Sequence, residues 1–463
     1  MKSLSPRRSM SACVLAAAAT AALVAPGAAS ASLGTQCSGA DIGAQGSSLQ
    51  KVAQETLWDP GFNTSSDKFA CSGSQGDKKE PTIVYNPSGS GAGLRSWGAE
   101  PKVESEINFS PTNAFVGTDE PPNKGQQEEI LKQESTATEG TLLTIPVAQE
   151  SVAIIVDLPE GCTATSTAAP GRLVLSDKAL QGIYAGTTTK WGELTEGGDA
   201  LTPSTCGTDA IIPVARFDQS GTTHIFKRFL NLINTAGLTT ASGTETWGEL
   251  SEGKFNTVWP TAANVEKPAA KGGEELIKKV AATAGSVGYV NIAEARVGDS
   301  GAFVPPTGGP GTRTFWAELE NGAKGSGKKE KISYSDPAIN GDVATLASAN
   351  CAKTAYSNGA NPFPPPSLTG LWNEVTTSVP TAPSPLKEKD YALCGLTYDL
   401  AFTEYHLLEG KGATLEEATA VNNFLSFVAD KSGGQALAHG DDYEALPKAV
   451  ASKVVTGVAT IGF

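Results

Sequence analysis

Charged and hydroxyl side chains are concentrated at residues 216–223. Arg216 and Asp218 stand just before Ser220-Gly221-Thr222-Thr223, and an amphipathic segment with helical spacing follows. The first turn of a helix has unpaired N–H groups and a partial positive charge, so small hydroxyl residues there can surround an oxyanion. Arg216 could form two charge-assisted hydrogen bonds to the same anion while Asp218 orients it. The alternative is an ordinary helix cap flanked by solvated charges.

Two further clusters of Gly, Ser and Thr stand at predicted helix starts, at residues 43–58 and 86–97. One such cluster says little, because Ser and Thr are the usual N-cap residues. Three clusters together with Arg216 and Asp218 favour an anion site shared by several helix N-termini. His224, on the first turn of the third predicted helix, is expected to face solvent.

Four motifs, in this order, resemble the high-affinity phosphate-binding proteins of ABC importers. They are Gly43-Ala44 with Ser47-Ser48, Tyr85 with Gly89-Ser90-Gly91-Ala92-Gly93, Phe115-Val116-Gly117-Thr118-Asp119, and Arg216-Phe217-Asp218-Gln219-Ser220-Gly221-Thr222. The fourth is the most specific, because it is similar to the R-x-D-G-S-G-T motif of that family. Residues 180–191, 285–290 and 442–450 also resemble family segments, so the resemblance extends over the chain outside its loop-rich zones.

The resemblance implies a set of phosphate ligands in this chain. They are Ser47, the Ser48 amide, Ser90, Asp119, Arg216, Ser220, Gly221 and Thr222. The sequence departs from the family at Ser48, where an aromatic residue is usual, and at Gln219, where Gly is usual. Both positions are expected to contribute backbone groups, so the expected ligand stays the same.

Asp119 is the residue expected to select the ligand. Phosphate keeps at least one proton near neutral pH, and the Asp119 carboxylate can accept a hydrogen bond from that P–OH group. Sulfate has no such proton and would meet the carboxylate as one negative charge against another. A repulsive group of this kind gives specificity against the wrong ligand.

Short β-branched runs alternate with amphipathic segments, which predicts parallel α/β layers. Strands are predicted at 82–86, 152–159 and 210–216, a strand followed by a helix at 173–186, a helix at 220–234, and a helix end, turn and strand at 285–293. Loop-rich zones are predicted at 98–140, 298–350 and 357–388. The resemblance implies an α/β, two-domain periplasmic-binding-protein-like (Venus-flytrap) fold with two hinge crossings. Residues 32–149 and 393–463 would form domain 1, and residues 150–392 would form domain 2.

Residues 1–31 have the features of a signal peptide. Lys2, Arg7 and Arg8 precede a short apolar run, and Ala29-Ser30-Ala31 supplies a small-residue cleavage site. Six cysteines follow it, which are Cys37, Cys71, Cys162, Cys206, Cys351 and Cys394. An even number in an exported protein predicts disulfides, most simply between sequence neighbours. No CxxC motif and only three histidines occur, so no metal site is predicted.

Removal of the three positive charges in residues 1–31 changes the formal net charge from −14 to −17. Such an acidic chain argues against nucleic acid or an anionic membrane as the partner. No later segment has the roughly 20 apolar residues that a transmembrane helix needs. We therefore expect a secreted, extracellular or periplasmic monomer without a cofactor. The resemblance implies that this protein captures inorganic phosphate for uptake by an ABC transporter, with an ABC permease as its partner.

Three alternatives stay open at this point. The ligand could be another tetrahedral oxyanion, such as arsenate, or a phosphate ester. The chain could be a wall-associated or secreted phosphate scavenger or sensor that works without a transporter. It could also be an extracellular phosphatase on the same fold, but the sequence has no G-x-S-x-G motif and no marked nucleophile–base pair. We therefore predict that it is not an enzyme.

Overall fold

The structure is a computed structural model that describes residues 42–65, 82–99, 113–132, 142–164, 172–194, 201–202, 204–266, 270–297, 303, 313–320, 334–338, 349, 351, 390–405 and 414–463. The strands are β1 (Ile42–Gly46), β2 (Ile83–Asn86), β3 (Phe115–Thr118), β4 (Leu142–Asp157), β5 (Thr163–Ala164), β6 (Val174–Leu175), β7 (Leu201–Thr202), β8 (Ile212–Pro213), β9 (Leu238–Thr239), β10 (Thr244–Glu245), β11 (Ser286–Asn291), β12 (Thr314–Trp316), β13 (Glu318–Glu320), β14 (Tyr334–Ser335), β15 (Cys394–Phe402) and β16 (Tyr443–Glu444).

The helices are α1 (Asp59–Thr64), α2 (Ser90–Ser96), α3 (Lys124–Leu131), α4 (Asp177–Ala185), α5 (Gly221–Ile233), α6 (Gly272–Ala281), α7 (Ile292–Val297), α8 (Leu415–Ala429), α9 (Gly434–Ala438) and α10 (Lys448–Val458). A π-helical segment, Ala53–Trp58, precedes α1, and short 3₁₀ helices include Ser48–Gln50, Glu249–Ser251 and Gly253–Thr257. Within the described part of the chain, no helix has the length and apolar character needed to cross a membrane.

A mixed sheet connects the two halves of the fold. Its strand order is β2-β1-β3-β15-β4-β11-β8, and β12 and β16 also pair with β4. β1 is parallel to β2 and β3, and β8 is parallel to β11. β4, however, is antiparallel to β15 and β11. The predicted α/β class is confirmed. The prediction of parallel layers is wrong at the centre of the sheet, where β15 and β11 both run antiparallel to the long strand β4.

The long strand is β4, with 16 residues that are all buried. Its first part pairs with β15 from Leu142 to Ser151, and its second part pairs with β11 from Val152 to Asp157. The near-continuous apolar run of its second part is typical of a strand covered on both faces. One strand therefore contributes to both halves of the fold.

Buried apolar side chains form two separate cores. One core is built from residues 42–148 and 396–461, and the other from residues 152–394; only Leu49 and Ala293 pack into the core of the opposite range. The expected boundary between residues 149 and 150 falls in the first interval between these ranges. The second change of core falls between residues 394 and 396, and the boundary expected between residues 392 and 393 lies just before it. These domain limits stay a prediction.

Helix α5 shows how the local sequence sets the element beneath the candidate site. The Ser220 hydroxyl caps the helix by accepting a hydrogen bond from the Thr223 N–H at 3.4 Å. Phe226 and Phe229 are buried on one face, and the Phe226 ring stacks on Tyr289 of β11 with centroids 4.5 Å apart. The cap and the apolar face together fix where the first turn of α5 points. The predicted helix at 220–234 is confirmed.

Two of the three predicted loop-rich zones contain regular structure. β3 and α3 lie within residues 98–140, and β12, β13 and β14 lie within residues 298–350. Strands of two to four residues are too short to show a readable alternation of apolar and polar residues. The third zone, 357–388, lies outside the described residues.

Two disulfides are formed between sequence neighbours, Cys162–Cys206 and Cys351–Cys394. Both pairings agree with the simplest prediction from the sequence. The second one joins the start of β15 to residue 351 and so ties down the strand next to β4. Cys37, Cys71 and the predicted signal peptide lie outside the described residues.

Candidate anion-binding site

The residues expected to bind an anion are all buried and lie at the ends of strands and the starts of helices. Ser47 and Ser48 follow β1, Ser90 opens α2, Asp119 follows β3, Arg216 comes after β8, and Ser220, Gly221 and Thr222 open α5. These segments belong to both halves of the fold. The elements that the sequence separates by up to 175 positions therefore meet in one place.

Asp119 is the centre of this cluster. Its carboxylate accepts hydrogen bonds from the Ser47 hydroxyl at 2.6 Å, from the Thr397 hydroxyl at 2.7 Å and from the Ser90 hydroxyl at 3.3 Å. Burial raises the pKa of Asp119 to about 6, although the hydroxyl donors and the charge of Arg216 oppose this shift. The group is therefore close to a change of protonation state at neutral pH.

Arg216 is buried and is held by a two-point ion pair with Asp218. Its Nε donates to Asp218 Oδ1 at 2.7 Å, and its Nη2 donates to Oδ2 at 2.5 Å. The third nitrogen, Nη1, donates to the Ser48 hydroxyl at 3.2 Å. Burial alone would raise the pKa of Asp218, but the charge and hydrogen bonds of Arg216 and the Gly272 N–H lower it. Asp218 is thus ionised and fixes the direction of the guanidinium, as the sequence predicts.

The start of α5 lies directly against the other half of the site. A Cβ atom on Gly221 would be 2.5 Å from the Ser90 hydroxyl and 2.6 Å from Asp119 Oδ2. Any residue larger than Gly would push these segments apart. Asn256 holds the preceding residue from both sides, because Ser220 N–H donates to its Oδ1 and its Nδ2 donates to the Ser220 carbonyl. The backbone that carries the first-turn amides is therefore rigidly placed.

The two departures from the family pattern use their side chains as well as their backbone. Ser48 accepts from Arg216 through its hydroxyl. The Gln219 carbonyl accepts from the Gly91 N–H at 3.2 Å, and its side-chain oxygen accepts from Arg95 Nη1 at 2.8 Å. Gln219 therefore connects α2 to the segment before α5, which a glycine could do only through its backbone.

Several contributors were not found from the sequence. Thr397 lies on β15, 278 residues from Asp119. The pairing of β15 with β4 and β3 places Thr397 next to Asp119, and no local sequence motif marks Thr397. His224 was expected to face solvent and is instead completely buried, so that expectation is wrong. The reason is that α5 is covered by residues 249–257, whose packing the helical pattern does not reveal.

Three more buried carboxyl groups influence the electrostatics of the cluster, and the sequence analysis did not identify them. Burial raises the pKa of Glu294 and of Asp399 to about 8, and it also raises the pKa of Glu150. Glu294 and Asp399 are therefore mainly uncharged at pH 7, and burial likewise favours the uncharged form of Glu150. Arg216 and the start of α5 therefore face fewer negative charges than the number of buried carboxyl groups implies, and Asp218 and Asp119 are the charged carboxylates nearest to them.

Comparison with known proteins identifies the class of this fold. A PBP superfamily domain is matched over residues 56–432, so the chain belongs to the PBP superfamily. No match is found among curated proteins. The match to the superfamily confirms the resemblance in fold that the sequence motifs indicate.

Solved structures show the same architecture at low identity. The ancestral soluble variant of the human phosphate binding protein is 18% identical with a TM-score of 0.58. The match covers 92% of this chain and 99% of that protein. PfluDING, a high-affinity periplasmic phosphate-binding protein bound with phosphate, is 20% identical with a TM-score of 0.53 and coverages of 91% and 99%. A phosphate binding protein from Stenotrophomonas maltophilia is 18% identical with a TM-score of 0.56 and coverages of 90% and 93%. At these identities the likeness shows the fold.

Proposed function

We propose that this chain is an exported solute-binding protein that captures inorganic phosphate between two domains. The observation that carries the proposal is the buried Arg216, held by Asp218, beside the buried Asp119 at the start of α5. A cation, a proton acceptor and a row of helix N–H groups form a set that suits a partly protonated tetrahedral anion. The names of the structural relatives support the same ligand.

The binding mode follows from the donors present. Arg216 and the first-turn amides of α5 would hold the anionic oxygens, and the hydroxyls of Ser47 and Ser90 would turn from Asp119 toward the anion. The protonated oxygen of phosphate would donate to Asp119. Arg216, held by Asp218, and the first-turn amides of α5 are already in place, so they add little to the ordering cost of binding, whereas the two hydroxyls must rotate.

The direct test is isothermal titration of the full chain with phosphate, sulfate and p-nitrophenyl phosphate. We expect phosphate to bind with a stoichiometry of one and sulfate to give no measurable heat. Binding of sulfate as tight as that of phosphate would contradict the role given to Asp119. Absence of binding by either anion would contradict the proposed function.

A second candidate ligand is a phosphate monoester, and one observation favours it. A cavity of about 920 Å³ lies beside the site and is lined by Phe217, Asp218 and Gln219 together with Arg95 and Phe255. It is large enough for an organic group attached to the bound phosphate. Tighter binding of p-nitrophenyl phosphate than of phosphate in the same titration would favour this candidate.

We further propose that the protein is a monomer outside the cytoplasm that delivers phosphate to an ABC permease and does not hydrolyse esters. Disulfides Cys162–Cys206 and Cys351–Cys394 support a location outside the reducing cytoplasm. Light scattering should give the mass of one chain. Turnover of p-nitrophenyl phosphate would support the phosphatase alternative, and phosphate uptake that persists without this protein would support the scavenger alternative.

A further inference from the structure

We propose that Glu120, His224 and Glu252 form a binding site for a divalent transition-metal ion of the zinc type. One ring nitrogen of His224 and one carboxylate oxygen from each Glu all lie within 4.8 Å of one another. Imidazole nitrogen and carboxylate oxygen are both common ligands of Zn²⁺, and three protein ligands leave room for a water molecule. This proposal replaces the sequence-based expectation that the chain has no metal site.

His224 is prepared to act as a ligand. The side chain is completely buried, and its Nδ1 lies 3.1 Å from the carbonyl oxygen of Ser251. Because a carbonyl can only accept, Nδ1 carries the hydrogen and Nε2 carries the lone pair. Nε2 is buried and has no hydrogen-bond partner, which is costly for a polar atom. An Nδ1–H bond to a carbonyl is the usual support of a metal-ligating histidine. Nδ1 is, however, the nitrogen that lies 3.9 Å from Glu252 Oε1, so binding of an ion through Nε2 requires the ring to turn toward the two carboxylates.

The charges around the ring also suit a cation. Burial lowers the pKa of His224, although the charge of Glu252 opposes this shift. Glu252 accepts a hydrogen bond from the Ser251 hydroxyl at 3.2 Å. Arg228 is the nearby cation, and its Nη1 lies 3.7 Å from Glu252 Oε1, which is beyond hydrogen-bond distance. Two carboxyl groups and one imidazole therefore surround the proposed position of the ion.

The cluster has an entry path and needs only a small contraction. Zinc–ligand bonds of about 2.0–2.2 Å place donor atoms roughly 3.4 Å apart in a tetrahedral site. The three donors would thus have to move inward by about 1 Å. Glu252 is 35% exposed and lies between two short 3₁₀ helices, so it can move and also opens the cluster to solvent.

A metal ion here would join the two halves of the fold. Glu120 follows β3, whereas His224 and Glu252 belong to the half whose core is built from residues 152–394. The two halves already touch at this point, because Glu120 Oε1 accepts from the Gly253 N–H at 2.7 Å. Glu120 also directly follows Asp119 in sequence. The ion would therefore hold the halves together next to the proposed anion site, whichever anion that site binds.

The test is titration of the full chain with Zn²⁺ in phosphate-free buffer after treatment with a chelator. We expect one ion per chain and an affinity at least about 100-fold lower in His224→Ala, since changes to outer-shell partners alone cost about 10–100-fold. His439→Ala is the matched control, because His439 is a surface histidine beside another carboxylate, Glu444. Equal Zn²⁺ affinity of the wild type and His224→Ala, or a loss confined to His439→Ala, would overturn the proposal.

Two further measurements remove the uncertainty of a buried substitution. Glu252→Gln changes a partly exposed ligand and should also weaken Zn²⁺ binding by at least about tenfold, with an unchanged thermal midpoint in the absence of metal. Anomalous scattering at the zinc edge from crystals soaked in Zn²⁺ should place a peak between the three side chains. A peak only elsewhere, or tighter binding of Ca²⁺ than of Zn²⁺, would exclude the site, because imidazole is not a calcium ligand. No phosphate is present in these experiments, so their failure is distinct from failure of the proposed function.

Discussion

Arg216 and Asp218 form a two-point ion pair in which Nε donates to Oδ1 at 2.7 Å and Nη2 donates to Oδ2 at 2.5 Å. Both residues lie in one short segment before α5, and the pair is shielded from solvent. The carboxylate uses two of the three guanidinium nitrogens, and Nη1 is directed to the Ser48 hydroxyl on the other half of the site. Asp218 therefore decides which edge of the guanidinium faces the cleft.

The first prediction concerns Arg216. Loss of a buried charged partner costs about 2–5 kcal/mol, which corresponds to roughly 30- to 4000-fold weaker phosphate binding for Arg216→Ala. Arg216→Lys should lose much of this too, because an ammonium cannot form the two-point pair. Isothermal titration measures both variants.

Arg313 provides a matched control for the arginine prediction. It forms the same kind of two-point pair with Asp157, at 2.7 and 3.0 Å, but Asp157 lies at the far end of β4. Arg313→Ala should leave the phosphate affinity unchanged. Binding by Arg216→Ala within threefold of the wild type would show that the assigned anion site is wrong.

The second prediction concerns Asp119 and the choice of anion. Asp119→Asn keeps the size and one acceptor oxygen but removes the charge that repels a fully ionised anion. The variant should keep measurable phosphate binding and accept sulfate better than the wild type does. Competition titrations with the two anions give the ratio of affinities. An unchanged sulfate-to-phosphate ratio would remove Asp119 from the selecting role.

The third prediction concerns the pH dependence of stability. Burial raises the pKa of Asp399 from 3.8 to about 8 and that of Glu294 from 4.5 to about 8. Between about pH 4 and pH 8, these two carboxyl groups have lost their protons in the unfolded chain but keep them in the folded chain. The stabilising contribution of both groups is therefore complete below about pH 4 and is lost as the pH rises through 8.

The thermal midpoint should accordingly be higher at pH 5 than at pH 9. Asp399→Asn removes one of the titrating groups and should reduce the decline between these values. Glu55→Gln, at an exposed carboxylate, is the control and should leave the decline unchanged. The same decline in Asp399→Asn as in the wild type would show that Asp399 does not titrate in this range.

The fourth prediction concerns the cysteines. The native protein should contain no free thiol, and peptide mapping without reduction should find Cys162–Cys206, Cys351–Cys394 and a third bond between Cys37 and Cys71. Each described disulfide closes a loop of 43 or 44 residues, for which the chain-entropy estimate is about 4 kcal/mol. Two or more free thiols per chain would contradict export to an oxidising compartment.

The sequence by itself determined the parts of the site that depend on neighbouring residues. Ser220 caps α5 and Arg216 pairs with Asp218 because residues two to four positions apart are close in any fold that forms this turn and helix. The resemblance of four ordered motifs to a known family likewise predicted which strand ends and helix starts would meet. The α/β class followed from the alternation of apolar runs with amphipathic segments.

Only the tertiary structure decided which distant groups join them. Thr397 reaches Asp119 because β15 pairs with both β3 and β4. His224 is buried because residues 249–257 cover α5, and Asp399 is protonated because β15 is buried along its whole length. Burial and strand pairing between remote segments leave no local pattern, so the charge state of the carboxyl groups and the cluster at His224 follow from packing alone.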